Sequence, residues 1–472
     1  MNESEHRRSR LAGVAVAAIA IGVLAGCSSS SSNSSSSSPT NQAASSPAAS
    51  SPAASSPAAS SPAATGVQTS SCGTKPGVAA TGTPINLGSI VTDQTGTSFA
   101  DIANMAGAYF DCVNANGGIN GHPIKYFIQK EQTNPTQIAS LAKQLVQSDH
   151  VVGIIGNTSI IECSVDHAYW EGQGFYIIDS GIAPECYSTS HSAAVNMGPR
   201  YSSDGAVQYA LTQHPSKIVF DQANVPGTTY IAAGPNAIAA AAKTPIQDFA
   251  DTPPIADANS VAIKLVDAAG SNGAVVLNFT PPDALAILAA AQKLNLEDKV
   301  KLWACSTPCN TDFLAKTLGP KWNNKIFVNA ELTPPDGTNT PTMNLYKAIL
   351  AQYGKSVTGG IGSFSQMGFT EAELMVKALE SVTGDYTVAS VNAAIKALKD
   401  VNTGMLCQQW TYGSYSSHLP NNMDYTTTAN NGQMTLAPNG GGCTLISDND
   451  PQVKAYRAEA GTAPTDPTST GG

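Results

Sequence analysis

Charge is scarce in this 472-residue chain. Asp, Glu, Lys and Arg together make up 12% of it, and acids outnumber bases 34 to 24. At a net charge of -10 the chain lacks the basic face needed to grip nucleic acid, which is therefore not expected as a partner. No apolar run reaches the roughly 20 residues that span a bilayer as a helix. Also absent are the spacings G-x-S-x-G, H-E-x-x-H and G-x-x-x-x-G-K, which place a hydrolase nucleophile, a zinc pair and a phosphate cradle. His122, His150, His167, His191, His214 and His418 are scattered, with no convincing nucleophile beside them. We therefore expect no enzyme, no catalytic residue, no cofactor and no metal.

What the chain does have begins with Arg7, Arg8 and Arg10, followed by an apolar run from Leu11 to Leu24 and then Ala25-Gly26-Cys27. A basic start, a short apolar core and small residues at the exit describe an export signal. Leu24-Ala25-Gly26-Cys27 resembles the lipobox of bacterial lipoproteins, in which the cysteine is lipidated and becomes the mature N-terminus. The resemblance implies a lipoprotein signal peptide over residues 1–26 and lipidation at Cys27. Several acyl chains on one residue hold a protein stably at a membrane surface, so the expected location is extracytoplasmic, anchored to the cell membrane. Residues 27–82 contain no aromatic residue and repeat SSPAA four times between Ser45 and Ala64. Such a composition cannot build a core and reads as a disordered Ser/Pro/Ala tether.

Cysteine usage fits export. Setting Cys27 aside leaves eight: Cys72, Cys112, Cys163, Cys186, Cys305, Cys309, Cys407 and Cys443. An even number in an exported chain points to disulfides, although sequence cannot fix the pairing. Proximity favours Cys163 with Cys186, Cys305 with Cys309 and Cys407 with Cys443. Cys72 with Cys112 would then pin the end of the tether to the first helix. The CSTPC spacing of Cys305 and Cys309 has no second close Cys or His pair, which argues against zinc.

From about Thr83 onward the chain has a globular composition, and its length exceeds what one core comfortably serves, so two lobes are expected. Ile85 to Ile90 reads as a strand. Phe99, Ile102, Ala103, Ala106, Phe110 and Val113 then fall on one face of a helix. The stretch "NANGGING" at residues 114–121 stops that helix and turns the chain into a second strand, His122 to Gln129. Asn134-Pro135 has the signature of a helix start. Val151 to Ile155 is a continuous apolar strand of the kind buried in a parallel sheet. Further strands are read at Phe175–Ile178, Ala194–Met197, Ile218–Phe220, Ala274–Phe279, Lys301–Ala304 and Ile326–Val328. Helices are read at Tyr230–Ala242, Asn259–Ala269 and Ala284–Leu294. Repeated alternation of this kind predicts α/β lobes with parallel sheets, and loops after the strands gathered on one rim.

The run "NANGGINGHPIKYFIQKEQTNPTQIASLAKQLVQSDHVVGIIGNTS" resembles the start of branched-chain amino-acid-binding proteins, the extracytoplasmic receptors of ABC importers. Thr95-Gly96 near the first strand belongs to the same pattern, and weaker likeness runs on to about residue 410. The resemblance implies the type I periplasmic-binding-protein fold: two Rossmann-like lobes with parallel sheets, joined by a three-crossing hinge. Lobe 1 is expected at 83–208 and 333–402, lobe 2 at 209–332 and 403–460, and a disordered tail at 461–472. The crossings are expected near 205–213, 329–335 and 400–405. The implied partners are a small-molecule ligand and ABC permease subunits, with the receptor acting as a monomer. A ligand-sensing or cell-surface interaction protein on the same fold is the alternative.

By the same resemblance, ligand contacts are expected in the loops holding Asn157, Thr158 and Ser159, and Asp179, Ser180 and Gly181, with Phe99 as an apolar wall. In the second lobe the matching positions point to Tyr230, Phe279 and Thr307. The family's amino-acid binders place an acidic residue near the position of CSTPC to hold the ligand ammonium, and this chain has none there. Asp179 and Asp221, both at the ends of predicted strands, are the expected substitutes. The ligand is expected to be a branched-chain amino acid, an amide or a related small metabolite.

Overall fold

The structure, a computed structural model, describes residues 72–334, 339–438 and 442–461. The signal peptide, Cys27, the SSPAA repeats and nearly all of the 461–472 tail lie outside the described residues.

The first lobe opens with β1 (Ile85–Gln94), β2 (Thr97–Ser98), α1 (Ala100–Ala115), β3 (Ile124–Glu131), α2 (Pro135–Gln147) and β4 (Gly153–Asn157). It continues with α3 (Glu162–Gln173), β5 (Ile177–Asp179) and β6 (Ser192–Ala194). β1 pairs in parallel with β3 and β4, and β5 and β6 extend the sheet in parallel beyond β4. Ile154 and Ile155 of β4 are fully buried, as a strand covered on both faces requires. Asn134 caps α2, its Oδ1 accepting the N–H groups of Thr136 and Gln137.

The chain then builds the second lobe. Its elements are α4 (Gly198–Thr212), β7 (Ile218–Ala223), α5 (Ala233–Ala241), β8 (Ile246–Asp251), α6 (Ala258–Ala269), β9 (Ala274–Asn278), α7 (Pro281–Lys293), β10 (Leu302–Cys305), α8 (Asp312–Leu318) and β11 (Ile326–Ala330). It returns to the first lobe for α9 (Pro341–Tyr353), α10 (Ser363–Ser381) and α11 (Val388–Lys396). It ends with β12 (Met423–Asn430), β13 (Gln433–Leu436), β14 (Thr444–Leu445) and α12 (Pro451–Ala460). The second sheet runs β13-β12-β11-β10-β9-β7-β8, with β14 on β12. Its members from β7 to β11 are parallel, and β12 returns antiparallel along β11. These are the two parallel-sheet lobes of the type I periplasmic-binding-protein architecture.

The three crossings do not fall where the sequence placed two of them. Helix α4 packs against β9, β10 and β11, so the first crossing is at 195–198 rather than 205–213. Val401 and Trp410 bridge each other, and Trp410 and Tyr412 sit in the lobe 1 core. The third crossing therefore runs through 413–422 rather than 400–405. The second crossing leaves β11 through residues 331–334. The boundary assigned at residue 82 also moves. Cys72 is buried and bonded to Cys112, and the N–H groups of Lys75 and Ala80 donate to the carbonyls of Asn116 and Asn114. Residues 72–82 are thus a strap on lobe 1, held by the turn that "NANGGING" makes. Gly118 in that turn has φ of 62° and sits against the carbonyl of His122, where any Cβ would collide. The remaining disulfides join Cys163 to Cys186, Cys305 to Cys309 and Cys407 to Cys443.

Helix α12, assigned by sequence to lobe 2, bridges instead. Asp450 caps it and pairs with Arg200 of α4 through Nε at 2.6 Å and a second guanidinium nitrogen at 2.9 Å, both groups buried. Val453 and Tyr456 pack with Tyr187 and Ala194 of the first lobe.

The lobe 1 core depends on how closely α1 and α10 approach. Gly368 of α10 lies so near the carbonyl of Ile102 that an added Cβ would overlap it. Gly368→Ala should force the helices apart at a cost of about 1–3 kcal/mol, read as a lower urea midpoint with an unchanged slope.

Several carboxyl groups are largely withdrawn from water, Glu162 and Asp424 with no cation acting on them and Glu373 with only Lys377 nearby. Burial pushes Glu162, Glu373 and Asp424 each up to about 8. A carboxyl raised in the folded state adds stability that is complete below its unfolded value near 4 and is lost as pH rises through the folded value. The protein should therefore be more stable to urea at pH 5 than at pH 8, with the decline ending near pH 9. A stability that rises across this interval would contradict the burial of these groups as neutral acids.

Candidate functional site

The cleft between the lobes encloses about 720 Å³ of space, part of it open to solvent. Lobe 1 lines it with Phe99, Ile102, Ile160, Ile182, Phe364 and Met367, and lobe 2 with Ala223, Val225, Ile231, Phe279 and Pro308. The rings of Phe99 and Phe364 meet edge to face at 5.5 Å. The cavity is thus an apolar chamber whose specificity must come from a few polar groups. These are Thr97, Thr158, Asn196, Ser202, Thr228, Asn278, Thr280, Thr307 and Glu331. No lysine, arginine or histidine lines the chamber among the described residues.

Helix starts converge on this chamber. Phe99 and Thr280 occupy the N-cap positions of α1 and α7, Pro199 and Ser202 the first turns of α4, and Phe364 the first turn of α10. The loops leaving parallel strands feed helix starts on one rim, so the positive ends of several helix dipoles surround the chamber.

Of the residues expected at the ligand, Phe99, Thr158, Phe279 and Thr307 line the chamber. The other seven do not. Asn157 turns its Oδ1 to the N–H of Ile90 at 2.8 Å, fixing the end of β4. The Ser159 hydroxyl donates to buried Glu131 at 2.8 Å and accepts from the N–H groups of Ile161 and Glu162. The Thr158 and Ile160 N–H groups donate to the Ile90 carbonyl and the Thr92 hydroxyl. These amides of the loop expected to contact ligand are instead satisfied within lobe 1. Ser180 bonds Glu371, and the Gly181 carbonyl accepts from Tyr187 and Asn196.

The two proposed counter-charges are also elsewhere. Asp179 accepts the Ser192 hydroxyl at 2.8 Å, and burial pushes it up to about 7. Asp221 is buried in β7, where desolvation and the adjacent Asp251 carboxyl push it up to about 8. Asp179 ends β5 as read, whereas β7 runs two residues past Asp221, and both side chains belong to the lobe interiors. Tyr230 crosses the cleft as a lobe-to-lobe contact, its hydroxyl donating to the Ile182 carbonyl.

The ionisable group that does line the chamber is Glu331, one residue past β11. Its Oε2 accepts the N–H of Met197 at 2.5 Å, and burial pushes the carboxyl up to about 8. Its backbone is tied as well. Asn421 of the third crossing donates through Nδ2 to the carbonyl of Val195 at 2.9 Å and to that of Glu331 at 3.0 Å. The sequence carried one signal for this residue: an acid directly after an apolar strand, inside the expected second crossing.

Further lobe-to-lobe bonds hold the cleft shut at its far end. Ser363 donates its N–H to the Asn310 carbonyl at 3.1 Å, and Asp312 donates to the Ile361 carbonyl at 3.3 Å.

The periplasmic binding protein family matches residues 84–434. No curated protein matches the chain. Among solved structures, a branched-chain amino acid ABC transporter protein from Thermus thermophilus with bound valine superposes with a TM-score of 0.67 at 13% identity, covering 80% of this chain and 99% of the other. A fatty acid ABC transporter substrate-binding protein from Thermomonospora curvata gives 0.66 at 16% identity, covering 80% and 95%. A solute-binding protein from R. palustris in complex with 4-hydroxybenzoate gives 0.61 at 14% identity, covering 77% and 98%. At such identities the likeness is one of fold, but the family match spans both sheets and the chamber between them. This chain belongs to the periplasmic binding protein family.

Proposed function

We propose that the protein is a lipid-anchored, extracytoplasmic solute-binding protein of an ABC importer. It captures a small, mostly apolar molecule between its lobes and presents the closed form to a permease. The observation that carries this reading is the apolar chamber enclosed by both lobes at a three-crossing hinge. A ligand touching both walls binds the closed form better than the open one, and that difference alone shifts the population toward closure. A permease can then tell loaded from empty receptor by shape.

Within the class the sequence suggested, a branched-chain amino acid, an amide or a related small metabolite, the apolar wall favours the members that carry the least charge. Solved structures of the same fold include proteins described with valine, with 4-hydroxybenzoate and as fatty acid receptors. One scaffold thus hosts several apolar ligands by changing the chamber wall.

Two experiments test the reading. A thermal-shift screen should find at least one small apolar compound that stabilises the protein. At a hundred times its dissociation constant the gain is about 2.7 kcal/mol. Ala223→Trp, which fills the chamber, should abolish that shift while the melting temperature of the empty protein stays within a few degrees. A shift that survives the tryptophan would place the ligand outside the chamber. Separately, Cys27→Ser should move the protein from the membrane fraction to the medium, and retention of the variant on membranes would remove the lipid anchor from the account.

A further inference from the structure

Glu331 is the one acid in a chamber that holds no cationic side chain among the described residues. It is 1% exposed, and its side chain reaches the chamber from the hinge rather than from either lobe. One carboxyl oxygen is already assigned, since Oε2 accepts from Met197. Among the described residues nothing else bonds the side chain, so Oε1 is left for whatever enters. The titratable groups facing Glu331 are Asp424 of β12 and the hydroxyl of Tyr187, neither of which can supply positive charge. A carboxyl in such surroundings is cheaper to keep neutral than to ionise. A neutral carboxyl whose carbonyl oxygen is occupied has only its O–H to offer.

We infer that Glu331 is the polar anchor of the ligand, donating its carboxyl O–H to an oxygen of an otherwise apolar monocarboxylate. The inference rests on the reading of the chamber as a ligand site. Helix N-termini on the surrounding rim favour a negative charge near this donor and disfavour an ammonium. Amino acids are then poor ligands for a physical reason. Their ammonium would need Glu331 ionised, and among the described residues no second acid lines the chamber to receive it.

The position of Glu331 gives the anchor a second consequence. Its side chain holds the first crossing at Met197, and its carbonyl is held by Asn421 of the third. A ligand bonded to Oε1 thus adds a contact to the residue on which all three crossings meet.

The experiment uses the full mature chain with hexanoate and benzoate, their amine counterparts hexylamine and benzylamine, and leucine, measured by calorimetry at pH 7 and pH 9. Carboxylates are expected to bind at pH 7 and amines not. Because burial pushes Glu331 up to about 8, the affinity of the wild type should fall about tenfold between pH 7 and pH 9. Glu331→Gln keeps an acceptor for Met197 and an N–H donor for the ligand. It should bind carboxylates within about threefold of the wild type at pH 7 and lose the pH dependence. Glu331→Leu should lose binding. Tighter binding of amines or leucine, or loss of carboxylate binding in Glu331→Gln, would overturn the anchor while leaving the chamber reading intact. Binding that persists undiminished in Glu331→Leu would do the same. Silence from every compound in every variant would overturn the chamber reading itself, and the anchor with it.

Discussion

The relation between the two lobes depends on a small knot of hydrogen bonds where the crossings meet. Asn421 of the third crossing holds the carbonyls of Val195 in the first and Glu331 in the second, while the Glu331 side chain takes the N–H of Met197. All four residues are buried or nearly so. A buried backbone carbonyl or amide left without a partner is costly. The knot therefore holds the three crossings in register. Away from the hinge, lobe-to-lobe bonds join Tyr230 to Ile182, Ser363 to Asn310 and Asp312 to Ile361, the last two made by the first residues of α10 and α8.

The chamber follows from the same construction. Parallel strands deliver their following loops to one rim, and two such rims face each other across the hinge. Side chains within or at the ends of the strands, such as Asp221 and Asp179, remain in the lobe interiors. Side chains one or two residues further on, such as Thr280 after β9 and Thr307 after β10, reach the space between. The loop after β4 shows why position alone misleads. Its hydroxyls and amides are consumed by Glu131, Thr92 and Ile90, which shape the loop and leave Thr158 to line the chamber.

Much of the fold was legible because apolar residues recur with the right period. The strands of both parallel sheets and helices α1, α2, α6 and α7 show it plainly. The stretches that escaped reading have polar residues inside. Helix α3 buries Glu162 and Asp166, and α4 buries Arg200, Ser203 and Asp204. Their apolar stripes are broken by groups whose partners come from distant parts of the chain, such as Asp450 for Arg200. That also explains the misplaced first crossing, since α4 was not visible as a lobe 2 helix. Strand β8 escaped because an edge strand, half buried, has no continuous apolar run. For the site, apolar wall residues were easier to find than polar ones. Burial follows from periodicity, whereas the direction of a carboxylate depends on which crossing carries it.

Hydrogen–deuterium exchange across the whole chain, with and without the tightest-binding compound of the screen, addresses the central claim most directly. The account predicts that ligand slows exchange jointly in the loop after β4, in the 225–231 segment of lobe 2, and at the crossing that carries Met197 and Glu331. Slowing confined to one lobe, or to a surface away from the cleft, would contradict a ligand held between the lobes and tied to the hinge.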